Sequence, residues 1–263
     1  MRVVTWNINS IRLRIDLLRR LVEEVDPDVV LLQETKVQDA QFPHDSVAEL
    51  GFAHTAIRGM KSYNGVAILS KQPLADPDGR DWVGRDDARH VLATLPNGVE
   101  IHSLYVPAGG DEPDPAVNDK FRHKLDFVDE MKSWFPAARD PKRPILLAGD
   151  LNIAPLESDV WSHKQLLKVV SHTPVETEGL TAAQHAFGWI DAMREHTPAP
   201  ERLYTWWSYR AKDWRAADRG RRLDHVWLSP GLKGTLRDMR VIENARGWEK
   251  PSDHAPVVVD LDL

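Results

Sequence analysis

Short apolar runs alternate along this chain with stretches whose apolar positions recur every three or four residues. Arg2–Trp6 (RVVTW), Asp28–Gln33 (DVVLLQ), Gly65–Ser70 (GVAILS) and Pro144–Gly149 (PILLAG) read as strands, the more continuous of them as strands buried on both faces. Between the first two, Ile11, Ile15, Leu18, Val22 and Val25 step by four and three, which predicts a helix capped by Ser10 and ended by Pro27. Val91–Leu95 and Val99–Val106 flank Pro96-Asn97-Gly98, a turn signal, and predict a hairpin. Helices are expected over Asp119–Phe135 and near Ser158–Val170, and late strands over Leu223–Ser229 and Ala255–Leu261. Hairpins mixed with helical crossovers point to α/β layers with mixed sheets.

The chain has 263 residues and shows no repeat, low-complexity tract or linker, so it is read as one domain over 1–263. It contains no cysteine, which excludes disulfide scaffolds, zinc–thiolate sites and thiol nucleophiles. No apolar stretch approaches the roughly 20 residues that span a bilayer. The opening MRVVTWNINSIR lacks an apolar signal core, so the expectation is a mature, cytoplasmic protein without membrane contact. A net charge of −6 argues against a globally basic nucleic-acid binder but leaves room for a local basic surface.

Polar residues recur at the ends of the predicted strands. Asn7 follows VVTW, Glu34 follows VVLLQ, Asp150 and Asn152 follow ILLAG, Asp224 opens HVWLS, and Asp253-His254 precedes APVVVDL. Singly, Asp and Asn at strand ends more often start turns. Together they would form one cleft if the strands are neighbours, since α/β proteins build sites from strand-end loops. Two carboxylates about 5 Å apart repel by roughly 3 kcal/mol at an effective dielectric near 20. Glu34, Asp150, Asp224 and Asp253 would therefore need a cation, and hard oxygen donors with one imidazole favour Mg²⁺, with Mn²⁺ as the alternative, over Zn²⁺. HExxH, GxxxxGK[ST] and GxGxxG are all absent.

A second signal is YTWWSYRAKDW, Tyr204–Trp214, in which Arg210 and Lys212 interleave with Trp206, Trp207 and Tyr209. From Arg202 to Arg222 there are seven basic residues and two acidic ones. Aromatic rings among cations are the ingredients for gripping a phosphate backbone and stacking on a base or sugar. The alternative is an aromatic core patch with a solvated rim. The acidic Gly109–Asp119 segment is expected to be a solvated loop pointing away from any DNA.

Read in order, WNINSIR, LLQETK, YVPAG, GDLNIAP, YTWWSYR, RLDHVWLS and KPSDHAPV span residue 1 to about 260. The set closely resembles the exonuclease III family of apurinic/apyrimidinic (AP) endonucleases, within the endonuclease/exonuclease/phosphatase superfamily. The resemblance implies a DNase I-like four-layer α/β sandwich: two packed mixed β-sheets flanked by helices. It implies Mg²⁺-dependent hydrolysis of phosphodiesters in double-stranded DNA, at abasic sites on the 5′ side and at 3′ ends, by a monomer. It also implies roles: Glu34 as principal metal ligand with Asn7 beside it, and Asp253 at a second or alternative metal position. Asp150 matches the residue assigned to activate water, Asn152 its polar neighbour, and His254 the histidine at the scissile phosphate, oriented by Asp224. Tyr105 matches a phosphate-contacting tyrosine, and Trp207 with its neighbours the aromatics lining the abasic-sugar pocket. The residue types alone leave open whether Asp150 or His254 is the base. Arg221 stands where many relatives carry an aromatic, and His225 where tyrosine is common. Two other readings are a superfamily phosphatase acting on inositol phosphates or phospholipids, and a DNA-binding module without catalysis.

Overall fold

The structure is a computed structural model that describes all residues, 1–263. Fourteen strands appear in chain order: β1 Arg2–Asn7, β2 Val29–Gln33, β3 His54–Arg58, β4 Val66–Ser70, β5 Ala75–Asp78, β6 His90–Thr94, β7 Glu100–Tyr105, β8 Ile145–Asp150, β9 Ile190–Asp191, β10 Trp206–Trp207, β11 Gly220–Arg221, β12 Asp224–Leu228, β13 Leu236–Val241 and β14 Val257–Leu261. One sheet has the order β13-β14-β1-β2-β4-β3, and the other β5-β6-β7-β8-β12-β9. The principal helices are α1 Ile15–Val25, α2 His44–Glu49, α3 Asp119–Ala138, α4 His163–Leu166 and α5 Pro174–Phe187.

Alternation along the strands explains the layering. In β1, Val3 faces the second sheet and packs with Val91, Ile101 and Leu146, whereas Val4 and Trp6 face outward with Leu18 and Leu21 of α1. In the second sheet, Leu146 and Ala148 face the first, while Leu147 and Trp227 lie under Phe127 and Phe135 of α3 and Leu180 of α5. A strand with apolar neighbours on both faces shows the near-continuous run seen in DVVLLQ. The result is helix, sheet, sheet, helix, as the resemblance implied.

Several local expectations are corrected. Helix α1 starts at Ile15 and its N-cap is Arg14; Ser10 sits at φ 87° and its N–H donates to the Glu34 carbonyl instead. Asp26, in the left-handed region, ends α1 before Pro27 is reached. The helix expected near Ser158–Val170 shrinks to a 3₁₀ turn and the single turn of α4. Helix α5 is an element beyond those expected; Thr173 and Glu176 form its capping box and Gly188 closes its C-terminus. The predicted hairpin forms, with His90 paired to Leu104 and Thr94 to Glu100.

The sheet directions place the polar strand ends together. Strands β1 and β2 run parallel, as do β7 and β8, so Asn7, Gln33, Tyr105 and Asp150 emerge on the same edge. Strand β12 runs antiparallel to β8 with Asp224 opposite Asp150, and β14 antiparallel to β1, which returns His254 to that edge. Gly149 permits the close approach of β7 and β8: a Cβ there would lie 1.9 Å from the Leu104 carbonyl oxygen.

Candidate active site

A cavity of about 540 Å³ opens at this edge, lined by Glu34, Tyr105, Asp150, Asn152, Asp253 and His254, with Trp206, Arg210, Arg219, Arg221 and Leu223 among its other walls. Beneath it, Asn7 is fully buried and its Nδ2 donates to Glu34 Oε1 and to Asp150 Oδ2, both at 2.9 Å. One amide thus ties the carboxylates of β8 and of the residue following β2 across the two sheets. Asn7, expected beside the metal, turns its NH₂ to the two carboxylates, and its Oδ1 accepts from the Asn9 N–H at 3.1 Å.

Glu34 sits at φ 51°, a left-handed conformation that a side chain adopts at a cost. Its Oε1 also accepts from the Tyr105 hydroxyl at 2.8 Å, and its Oε2 pairs with Lys36 Nζ at 2.7 Å. Burial pushes the Glu34 carboxyl up, but the Lys36 charge and the donors Asn7 and Tyr105 outweigh it and hold it below its ordinary range. Burial, with Glu34 and Asp150 alongside, drives the Tyr105 hydroxyl well above 10, so it stays a donor. Lys36 lay outside the sequence-based set; the signal available was its place in LLQETK, two residues beyond Glu34.

Asp150, Asp224 and His254 form a buried row whose candidate ligand atoms lie within 4.8 Å of one another. His254 Nδ1 is 2.8 Å from Asp224 Oδ2, and its Nε2 is 3.6 Å from Asp150 Oδ2. Burial would depress the imidazole, yet Asp224 and Asp150 raise it to about 10, so it is a cation at neutral pH. Burial pushes Asp150 up to about 7, with the charge of His254 opposing and Asp224 adding to the rise. Asn152, at φ 53°, donates its N–H to Asp150 Oδ1 at 2.9 Å and its Nδ2 to Oδ2 at 3.2 Å. Asp224 Oδ1 is buried without a hydrogen-bond partner.

The donor set fits a divalent cation. Of Glu34, Asp150, Asp224 and Asp253, Glu34 is ion-paired by Lys36, and Asp150 and Asp224 lie within 4 Å of His254. Asp224 Oδ1 is left as a free buried acceptor, and burial, with Asp224 and Glu34 adding to it, raises the proton affinity of Asp150. Asp253 lines the cavity, but Trp206 Nε1 donates to its Oδ2 at 3.0 Å and Asn9 Nδ2 to its Oδ1 at 3.2 Å.

The aromatic–basic segment divides. Trp206 lines the cavity. Trp207, expected among the DNA-side aromatics, is 2% exposed and packs with Tyr204 and Ala255 because alternate residues of a strand face opposite ways. Tyr209 is exposed but lies outside the cavity, its hydroxyl donating to the Pro251 carbonyl at 2.8 Å; Lys212 is exposed and also outside, and Arg210 reaches the rim. Arg222 leaves the basic run altogether: it is fully buried and paired with Asp159 at 2.8 Å and Asp191 at 2.7 Å. The acidic loop does not point wholly away, since Gly110 and Asp111 reach the cavity. His225 is buried, donates from Nε2 to the Ile153 carbonyl at 2.8 Å, and stays neutral because burial lowers it to about 4.

Two face-packed mixed sheets with an Asp–His–Asp row and a carboxylate cleft at one edge define a hydrolytic enzyme of DNase I-like architecture. Residues 4–254 match the Endonuclease/Exonuclease/phosphatase family. Exodeoxyribonuclease III of Haemophilus influenzae is 31% identical over 98% of both chains, and the DNA repair nuclease APEX1 of Danio rerio is 30% identical over 99% of this chain and 82% of its own. An AP endonuclease structure from Archaeoglobus fulgidus superposes with a TM-score of 0.93 at 30% identity, covering all of both chains. The 3′ phosphatase NExo from Neisseria, bound to a product DNA hairpin, gives 0.90 at 29%, again over both whole chains. The chain belongs to the exodeoxyribonuclease III family within the Endonuclease/Exonuclease/phosphatase family.

Proposed function

We propose that this protein is a DNA-repair nuclease that hydrolyses phosphodiesters of duplex DNA with Mg²⁺, or Mn²⁺ in its place, incising 5′ to abasic sites and clearing 3′ ends. The observation that carries the reading is one cavity joining the buried Asp224–His254–Asp150 row to a wall of Trp206, Arg210, Arg219 and Arg221. Catalytic and phosphate-gripping groups therefore face one space. Relatives named as nucleases and a neighbour bound to a DNA hairpin support DNA as partner.

Glu34 would hold the cation, with the other cavity oxygens within reach; when bound it supplies Lewis acidity and neutralises phosphate charge. Asp150, with a proton affinity near neutrality, is matched to accept a proton from an attacking water. Protonated His254, Tyr105 and Asn152 are donors for oxygens whose charge grows in the transition state. Asp224 fixes the His254 ring and Asn7 fixes Glu34 against Asp150. Trp206 offers an apolar wall beside the phosphate, while Trp207 supports it from the core.

A single chain contributes every group of the site, which supports action as a monomer and as one domain over 1–263. The lack of cysteine is consistent with a reducing, cytoplasmic setting. No helix is long and apolar enough to cross a membrane. Purified protein with Mg²⁺ is given an abasic duplex, a recessed 3′-end duplex and an inositol phosphate in parallel. Cleavage of either DNA with the inositol phosphate untouched is expected; phosphate release from the inositol substrate alone would reverse the assignment. Inert wild type and Asp150→Asn protein that both bind DNA would leave only a binding module.

A further inference from the structure

Three loops that wall the cavity meet behind it on a buried ion pair that the chemistry above does not use. Lys124, in the second turn of α3, and Glu176, in the first turn of α5, are both 0% exposed, and Lys124 Nζ lies 2.5 Å from Glu176 Oε1. The ammonium also donates to the Asn152 carbonyl at 2.8 Å and to the Ala108 carbonyl at 3.2 Å. Its three N–H donors are thus matched by three acceptors, each from a different segment. Glu176 is equally committed: both of its oxygens accept from the Ser171 N–H at 2.9 Å, and Oε2 accepts from the Thr173 N–H at 3.1 Å and hydroxyl at 2.7 Å. Ala108, Asn152 and Ser171 all line the cavity. Gly109 leaves room for the lysine stem: it sits at φ 90°, and a Cβ there would lie 2.9 Å from Lys124 Cδ.

Stability alone does not account for two charges at this place. Well-packed apolar side chains of similar volume often serve a core as well or better, because desolvation offsets the attraction of a buried pair. An apolar pair cannot, however, hold backbone groups at fixed positions, and two residues of this wall need such holding. Asn152 and Ser171 lie in the left-handed region, at φ 53° and 88°. Side chains persist there only where the surroundings over-determine the conformation. Lys124 holds the carbonyl of the first, Glu176 holds the N–H of the second, and the ion pair ties the two together. The Ala154 N–H donates to the Ser171 carbonyl at 2.8 Å, which closes the circuit.

Held in this way, Asn152 is aimed. Its Nδ2 donates to the Val106 carbonyl at 2.9 Å and to Asp150 Oδ2 at 3.2 Å, and its N–H to Asp150 Oδ1 at 2.9 Å. Releasing the carbonyl would free the backbone to leave the left-handed region and carry the amide away from Asp150. We propose that Lys124 and Glu176 are positioning residues: as a pair they set the backbone of Asn152, and through it the direction in which its amide meets Asp150 and the scissile phosphate. This rests on the nuclease reading, in which Asn152 donates to oxygens that gain charge. Neither member of the pair touches substrate.

Lys124→Met combined with Glu176→Gln removes both charges and leaves neither alone in the core. On whichever duplex the wild type cleaves with Mg²⁺, kcat should fall by about 10–100-fold, the scale of a slightly misplaced catalytic group, while KM stays within a few-fold of wild type. In an Asn152→Ala background the same pair of changes should lower kcat by less than about 2-fold, because the group it positions is already gone. Losses that multiply in full would mean that the pair acts independently of Asn152 and overturn the proposal, as would wild-type kcat in the folded variant. Should the doubly substituted protein fail to fold, Glu176→Gln alone keeps the volume and the ammonium. Its kcat should fall by at least about 3-fold, the scale of one weakened hydrogen bond, with KM unchanged and only when Asn152 is present. Wild-type kcat in that protein, or loss of its fold as well, would make the pair a stability element and overturn the proposal. Wild-type protein that cleaves no DNA overturns the nuclease reading and this inference with it. A wild type that cleaves, matched by its variants, overturns this inference alone.

Discussion

Asp224 opens a strand of one sheet and His254 precedes a strand of the other, yet Asp224 Oδ2 and His254 Nδ1 meet at 2.8 Å in a buried contact. The imidazolium so formed persists to about pH 10. Its folded proton affinity lies above the ordinary value, so the charged form is present at neutrality and lost only as pH rises through that higher value. Asp224→Asn removes the anion that raises it. The alkaline limb of kcat/KM should move to lower pH, and kcat should fall by about 10²–10⁴-fold, the usual scale for disabling a positioned proton donor. An unmoved limb would return His254 to a structural role.

Asp150→Asn should remove the carboxylate proposed to accept the water proton while keeping the shape that Asn7 and Asn152 contact. Single-turnover cleavage should drop by at least about 10²-fold with DNA affinity within a few-fold of wild type. Binding and cleavage lost together would mean that Asp150 chiefly holds the site's structure.

Glu34→Gln removes one carboxylate from the group Glu34, Asp150, Asp224 and Asp253. The Mg²⁺ midpoint for activity should rise by at least about 10-fold, since even outer-shell changes have that effect on metal affinity. If the titration overlays wild type, Glu34 is not a ligand.

Arg222→Met tests the interior rather than the chemistry. Asp159 would be left as a buried carboxylate with Arg194 as its remaining partner at 2.5 Å. Urea unfolding should show a loss of about 3–5 kcal/mol, the scale of a broken buried ion pair. Burial pushes the Asp159 carboxyl up, but Arg222 and Arg194 outweigh it and hold it below its ordinary value. Its contribution to stability is therefore complete above the unfolded carboxylate pKa and lost as pH falls through the folded one. The stability gap between wild type and Arg222→Met should narrow in that acid range.

Arg210→Ala and Lys212→Ala probe phosphate contacts. Each should reduce the slope of log affinity against log salt by about 0.9 if it neutralises a DNA phosphate. A slope unaltered by Lys212→Ala would assign that exposed side chain to solvent.

Strands such as DVVLLQ and PILLAG were legible because both faces of each strand are covered, one by the opposing sheet and one by helices, which removes polar alternation. Ser10 misled because its cap pattern is local, while its backbone is drawn into the loop after β2 by the Glu34 carbonyl. Helix α5 carries a Thr173–Glu176 capping box but a weakly patterned apolar face, so periodicity does not mark it. Within YTWWSYR, the ring types were evident, but which tryptophan lines the cavity was not. That depends on the register of β10, whose pairing with β11 no local pattern dictates.

By itself the sequence determined the layered α/β class, the strand-end positions of the polar residues and, through its ordered motifs, the family. Those follow from periodicity and residue type, which are properties of neighbours along the chain. Tertiary structure decided what each group touches: that Lys36 and His254 supply counter-charge, that Asn7 ties Glu34 to Asp150, that Arg222 is walled into the core while Arg221 has no carboxylate partner. Proton affinity and pairing depend on burial and on distances between residues far apart in the chain, and only the packed sheets set those.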